Sequence, residues 1–266
     1  MPYDVDYRVK PSDEDLRVYY ELTKVQNKNG FHFRKSVHPS QYSKSCRHFF
    51  SLFPNNLLDI CELAEVDRLN EIAMRFEELI KNSENGERQI LDFIKNEKAF
   101  FIVGSIMKKY YSFGHHDAYL FSEFPLGTLY QADFLLAGKG SGGFQFIFIE
   151  FETPKSTAYR QDGILGEGTN KGLRQVEDWD AFIDANYITL KQEFDKAKSY
   201  QEPLPDEFIS LDKSRIHYVV VSGRRDQYTK LTYRIRRKML SERDINLLHY
   251  DNIIESSHYV IGKNTY

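Results

Sequence analysis

The order of apolar runs predicts an α/β fold, with a three-stranded meander flanked by amphipathic helices and extended by one more strand and helix. Three observations carry this. Residues 144–151 form a nearly continuous apolar run, the pattern of a strand covered on both faces. Residues 87–95 and 171–185 repeat apolar side chains every three or four positions. The glycine-rich stretch 138–143 divides the apolar run from a second strand pattern at 129–137.

Taken in order, residues 1–65 are irregular and predict a small N-terminal α+β region. Residues 7–10 and 16–22 read as strands, and Asn29-Gly30 is a hairpin turn signal before Phe31-His32-Phe33. Residues 55–80 read as a helix, because Leu63, Val66, Leu69, Ile72, Phe76 and Leu79 recur at helical spacing. The polar break at 82–86 sets a domain boundary, with an N-terminal region of unassigned role at 1–82 and the main domain at 83–266. Within that domain we expect a helix at 87–95 and strands at 119–124, 129–137 and 144–151. A polar loop at 153–169, a helix at 171–185, a strand at 217–222 and a basic helix at 230–241 follow.

Bulk properties narrow the functional classes. With 266 residues and a formal net charge of -3, the chain as a whole is no polyanion binder, so any nucleic-acid contact must come from a local patch. Cys46 and Cys61 form no CxxC pair, and we expect free thiols in a reducing compartment. The chain shows no signal-peptide pattern and no apolar run of membrane-spanning length. Cytoplasmic location without membrane association is the expectation.

The informative residues are Asp133, Glu150 and Glu152. If the turn at 138–143 joins residue 137 to residue 144, Asp133 falls opposite Phe148. It then shares a face with Phe148, Glu150 and Glu152, lying diagonal to Glu150. Carboxylates converging at the end of an apolar hairpin repel one another and lose hydration unless a cation sits between them. Hard oxygen ligands with room for water and phosphate suit Mg²⁺ or Mn²⁺. The competing reading makes these acids strand-end charges that face water or pair with arginine.

Asp133, the turn and Phe148-Ile149-Glu150-Phe151-Glu152 resemble the D…ExK signature of the PD-(D/E)XK nucleases. Ala132-Asp133-Phe134-Leu135-Leu136, Ile149-Glu150-Phe151-Glu152-Thr153-Pro154, Leu173-Arg174-Gln175-Val176-Glu177-Asp178-Trp179 and Val221-Ser222-Gly223-Arg224-Arg225 occur in that order. Together they resemble the nuclease domain of Shedu anti-phage defence proteins over about residues 84–255. The resemblance implies a restriction-endonuclease-like αβββαβ core, with Asp133, Glu150 and Glu87 as metal ligands and Gln175 directed towards the site. It also implies assembly into a homo-oligomer, a dimer or tetramer. Glu152 departs from the pattern, which has lysine there. Glu152 then serves as a further ligand or supporting acid, and Lys155 or Lys171 is left to supply the cation.

Residues 224–244 hold eight basic side chains, Arg224, Arg225, Lys230, Arg234, Arg236, Arg237, Lys238 and Arg243, against three acidic ones. Arg224, Arg225, Arg234, Arg237 and Lys238 are the expected DNA contacts, through the phosphate backbone rather than the bases. A solvated helix face or a surface between subunits accounts for the same charges. His115-His116-Asp117 lacks a third suitably spaced ligand, so a metal role is not expected there. The glycines at 163–168 lack the context of a nucleotide loop and read as a mobile loop near the site. No G-x-S-x-G elbow supports serine-hydrolase chemistry. Two functional readings follow: a Mg²⁺- or Mn²⁺-dependent endonuclease acting on phage or plasmid DNA, and a catalytically weak or inactive module for DNA binding or assembly. A nuclease acting on RNA is a weaker third reading, since nothing in the sequence separates the two nucleic acids.

Overall fold

The computed structural model describes residues 3–23, 25–28, 31–34, 37–82, 84–155 and 165–266. It begins with helix α1 (Asp13–Thr23), the hairpin β1 (Val25–Lys28) and β2 (Phe31–Arg34), and the short α2 (Lys44–Phe49). Helices α3 (Val66–Lys81), α4 (Glu87–Asn96) and α5 (Phe100–Tyr110) follow. Then come β3 (Asp117–Leu126), β4 (Tyr130–Gly140), β5 (Gly143–Phe151), α6 (Glu167–Ala197), β6 (Ile216–Val221), α7 (Lys230–Arg243), β7 (Ile245–Leu248) and α8 (Tyr250–Val260). The result is a mixed α/β fold with eight helices among the described residues and an open five-stranded sheet in the order β3-β4-β5-β6-β7. The first three strands are antiparallel, while β5, β6 and β7 run parallel.

Strand alternation gives the sheet two apolar faces. Phe134, Leu136, Ile147, Ile149, Phe151, Val219 and Val221 pack beneath residues of α3, α4, α5 and α8. Leu135, Ala137, Phe146, Phe148, Tyr218 and Val220 pack against Leu173, Val176, Trp179 and Ile183 of α6. Aromatics concentrate on this second face, where Phe53, Phe121, Phe124, Phe146, Phe194 and Phe208 meet edge to face or tilted.

Several sequence expectations need correction. Residues 16–22 belong to α1 rather than a strand, because Ser12 starts a helix: its hydroxyl accepts the Asp15 N–H at 3.1 Å, and Asp13, Glu14 and Asp15 fill the first turn. Residues 7–10 form no strand; the Tyr7 N–H instead donates to Asn55 Oδ1 at 2.7 Å. The turn signal Asn29-Gly30 lies outside the described residues, although β1 and β2 pair around it with Lys28 opposite Phe31. The expected helix at 55–80 begins only at Val66. The preceding stretch is pinned to the sheet edge: Leu57 bridges Tyr119, and Asn56 Nδ2 donates to the Leu120 carbonyl at 2.9 Å. The break at 82–86 is a turn within one core, since Leu69, Ile72, Phe76 and Ile80 share a cluster with α4, α5, α8 and the sheet.

The register around the central turn also differs from the expectation. Gly138 and Gly140 lie within β4, and only Ser141 and Gly142 form the turn, so Gly140 pairs with Gly143 and Phe134 with Ile149. Gly143 takes φ 98°, a value that glycine tolerates and that the tight turn requires. Relative to the expected pairing, the register is moved by two residues. An even shift preserves the face, so Asp133 stays with Glu150 and now lies level with it.

Candidate functional site

The sheet edge where β4 begins and β5 ends gathers the acids. Phe148 and Leu135 both face α6, so the period-two alternation sends Asp133, Glu150 and Glu152 to that same side. Asp133 Oδ2 accepts the Phe151 N–H at 2.8 Å, which ties the carboxyl to the neighbouring strand. Glu150 is 3% exposed and Glu152 is 2% exposed. The Glu152 N–H donates to the Val221 carbonyl at 2.8 Å, continuing the pairing of β5 with β6 past the strand end. Its own carbonyl accepts the Tyr250 hydroxyl at 2.5 Å.

Helix α6 closes the site from above. Gly172 lets it come close: a Cβ there would stand 2.7 Å from Val220 Cγ1, 3.1 Å from Glu152 Cγ and 3.7 Å from Glu150 Cγ. Glycine inside a helix costs about 1 kcal/mol relative to alanine, and here it makes room for the two glutamates. Thr169 Oγ1 and Ser222 Oγ, both buried, are 3.0 Å apart and link the start of α6 to the end of β6. Lys171 Nζ stands 3.0 Å from Glu152 Oε1, as an ion pair rather than an aligned hydrogen bond, and 3.6 Å from Glu87 Oε2 on the first turn of α4. Gln175 lies one turn beyond Lys171, and its Oε1 is buried with no hydrogen-bond partner among the described residues.

The electrostatics follow from burial and like charge. Burial pushes the Asp133 carboxyl up to about 7, helped by Glu87 and Glu152 and opposed by the Phe151 N–H. Burial pushes Glu150 up to about 9, with Asp133, Glu152 and Glu87 adding to it. Glu152 also shifts upward through burial, with Lys171 opposing. Tyr250 is fully buried beside these acids and its hydroxyl stays protonated.

Donor chemistry fits a hard divalent cation. Buried carboxylate oxygens held above their ordinary range gain from a positive ion, and the orphaned Gln175 Oε1 is one more oxygen donor close to Lys171. Among the described residues no three His, Cys, Asp or Glu side chains already enclose a metal position. An ion at this site would be held by one or two carboxylates, with water filling its other positions, as is common for Mg²⁺. The pair Asp133 and Glu150 would hold it, with Glu87 adjoining.

The family profile described as Shedu protein SduA, C-terminal, matches residues 84–254, more than half of the chain. The chain belongs to the Shedu family. Membership points to anti-phage defence. No curated protein matches the chain.

In this Shedu-family chain the expected DNA contacts divide into two groups. Arg224 forks onto Asp251, Nε at 3.0 Å from one oxygen and Nη2 at 2.7 Å from the other, and Arg225 pairs with Glu255 on α8. The Arg224 guanidinium is thus taken up by Asp251 within the fold, whereas Arg225 is exposed and its pair with Glu255 lies at the surface. Arg234, Arg237 and Lys238 are exposed on α7, with Lys238 only loosely paired to Glu242 at 3.8 Å. Of the two lysines considered for the cationic role, Lys171 is ion-paired to the acids, whereas Lys155 is exposed in the turn after β5. The glycine-rich loop expected at 163–168 falls partly outside the described residues, and Gly166 caps α6. Cys46 and Cys61 are free thiols, and among the described residues no helix is long and apolar enough to cross a membrane.

Sequence reasoning missed Tyr250 and Gly172. Gly172 carried a signal, since a glycine inside an amphipathic helix marks a close approach. Tyr250 carried none, because β7 and α8 around it had not been assigned.

Proposed function

We propose that this Shedu-family protein is a divalent-metal-dependent endonuclease with a PD-(D/E)XK, restriction-endonuclease-like core, cutting or nicking DNA in anti-phage defence. The observation that carries it is the placement of half-buried Asp133 and buried Glu150 on one face of the sheet, at one level, with upward-shifted carboxyls. Asp133, fixed by the Phe151 N–H, and Glu150 would hold the ion. Mg²⁺ or Mn²⁺, when bound, supplies an activated water and stabilises charge on the phosphodiester. Glu87 and Glu152 shape the field around the ion, and Gln175 offers its unpartnered oxygen to the metal or its water. The exposed Arg234, Arg237 and Lys238 supply backbone contacts to the duplex. Assembly as a homo-oligomer belongs to the same proposal.

The test is conversion of supercoiled plasmid to nicked or linear forms with Mg²⁺ or Mn²⁺. Asp133→Ala and Glu150→Ala are expected to lower the rate at least 100-fold, the scale seen when groups stabilising a transition state are removed. Equal cutting by all three proteins would remove the assignment.

A second reading has one observation in its favour. No three candidate ligands are already assembled among the described residues, and Lys171 neutralises part of the acidic set from within. The domain would then bind DNA or assemble without cutting. Calorimetric titration with Mn²⁺ separates the two, since the binding module predicts no heat from the acidic site.

A further inference from the structure

Strands β3 and β4 run on past the point where β5 leaves them. The β4–β5 ladder stops at Phe134 and Ile149, one residue short of the level of Asp133 and Glu150. Strands β3 and β4 stay paired as far as Leu126 and Tyr130. Residues 124–132 thus form a two-stranded ribbon that overhangs the acidic edge. At a rise of about 3.4 Å per residue, Tyr130 lies about 10 Å beyond Asp133. Gly127, Thr128 and Leu129 close the ribbon, and Leu129 at its tip is 74% exposed. Helix α6 backs it: the Tyr130 and Phe182 rings meet at 5.9 Å, and a Cβ on Gly127 would stand 2.7 Å from Phe182 Cζ.

The ribbon is also turned. Phe121 and Phe124 are three residues apart, yet both pack in the α6-side cluster, which strict alternation forbids. Between them Glu123 takes φ 52°, a value that residues other than glycine seldom adopt. The kink lays Phe124 and Leu126 on the α6 side and leaves Thr128, Leu129 and Gln131 exposed. None of residues 124–132 is charged, so the ribbon is not built to hold phosphate. One exposed leucine also falls far short of the roughly 800 Å² that a stable protein interface buries on each partner. Pro125 on the edge strand opposes pairing with a strand of another chain. The major groove of DNA, by contrast, admits a two-stranded ribbon, and offers thymine methyls to apolar side chains and adenine edges to glutamine. We propose that the ribbon enters the major groove beside the cut, with Leu129 against a thymine methyl and Gln131 at a base edge. With a step of about 3.4 Å per base, these contacts fall about three to four base pairs from the scissile phosphate. The inference rests on the DNA reading above and adds base contacts that α7 does not supply.

The experiment uses the full chain as wild type and as the double variant Leu129→Ala with Gln131→Ala. Both positions are exposed, and thermal melts check folding. Duplex affinity is measured by fluorescence anisotropy in Ca²⁺ over a range of salt concentrations. The probes are an A·T-rich duplex and its counterpart with uracil for thymine, which lacks the methyls. The wild type is expected to prefer the thymine duplex about fourfold, the value of one buried methyl group. The double variant is expected to bind it about tenfold more weakly, the scale of one specific base contact, and to ignore the methyls. Its slope of log affinity against log salt is expected to match wild type, because no charge is removed. Equal affinity of both proteins for both duplexes, with plasmid cutting in Mn²⁺ retained, would overturn the proposal and leave the nuclease reading intact. Weaker binding with a lower salt slope would overturn it too, since phosphate contacts would then have been lost. A changed oligomeric state in sedimentation, with DNA affinity unchanged, would give the tip to a second copy of the chain and overturn it. A wild type that binds no duplex overturns the groove contact whatever it cuts. Should the wild type show the methyl preference yet cut nothing, the nuclease reading fails and the groove contact stands.

Discussion

Glu150 is 3% exposed, yet among the described residues no side chain or backbone N–H holds it by a hydrogen bond or ion pair. A carboxyl in that position keeps its proton to about 9, and Asp133 beside it to about 7. In the unfolded chain both would ionise near pH 4. Between roughly pH 4 and pH 9 the folded state therefore binds more protons than the unfolded state, and stability falls as pH rises through that window. Neutral amides remove this cost. The metal-free Asp133→Asn, Glu150→Gln variant is expected to be more stable than wild type at pH 8, by about 2 kcal/mol once coupling is discounted. That corresponds to a melting temperature higher by roughly 4–8 °C. At pH 4.5 the two proteins are expected to melt together. A thermal melt at both pH values checks this, and a wild type that is the more stable at pH 8 without metal would contradict it. The same arithmetic explains why the acids were legible in the sequence. Three carboxyl positions beside an apolar strand have few structural uses, and a two-residue error in register left their shared face unchanged. Lys171 was only half legible, because its partner on the strand is set by how closely Gly172 lets the helix approach.

Helix α7 was read correctly as basic, but charge counting did not show which of its cations are free. Helix α8, which was not foreseen, supplies Asp251 and Glu255 to Arg224 and Arg225. Arg236 is likewise drawn inward, donating to Asn252 Oδ1 at 3.2 Å. Outward on α7 are Arg234, Arg237 and Lys238, together with Lys230 at its start. Elements failed to show for equally physical reasons. Every residue of α5 from Phe100 to Met107 is buried, so the helix has no polar side and no period to detect. Strand β7 is four residues long, too short for alternation to register. For α1, Val18, Tyr19 and Tyr20 favour strands locally, and the start signal at Ser12 with its acidic first turn outweighs them. The surviving α7 face makes a quantitative prediction. If Arg234, Arg237 and Lys238 each displace a counterion from duplex DNA, replacing all three with alanine weakens binding at every sequence. It also lowers the slope of log affinity against log salt by about 2–3, near 0.9 per phosphate contact. Anisotropy titrations over a range of salt concentrations measure that slope. An unchanged slope would place the DNA elsewhere.

At the scale of the whole molecule, the family match and the packing draw different borders. The match starts at residue 84, and the polar break at 82–86 invites a cut there. The core ignores that cut. Leu69, Ile72, Ala73, Phe76 and Ile80 of α3 are each at most 5% exposed and lie in one cluster with α4, α5 and α8. Gly262, beyond α8, donates its N–H to the Leu63 carbonyl at 2.8 Å, fastening the C-terminal end to the segment before α3. The C-terminal Tyr266 is 2% exposed in the same cluster. Burying a large aliphatic or aromatic side chain contributes roughly 1.5–3 kcal/mol, so the buried residues of α3 together contribute on the order of 10 kcal/mol as an upper estimate. Net stabilities of whole domains are about 5–15 kcal/mol. Removing α3 therefore takes away a contribution as large as the total, and uncovers apolar surface on α5 and α8. A fragment of residues 84–266 is expected to lose its cooperative thermal transition and to bind a hydrophobic dye. A fragment of residues 50–266, which restores α3 and the strip that covers the edge of β3, is expected to regain the transition. A shorter fragment that melts cooperatively within a few degrees of the full chain would show that the polar break is a true domain border after all.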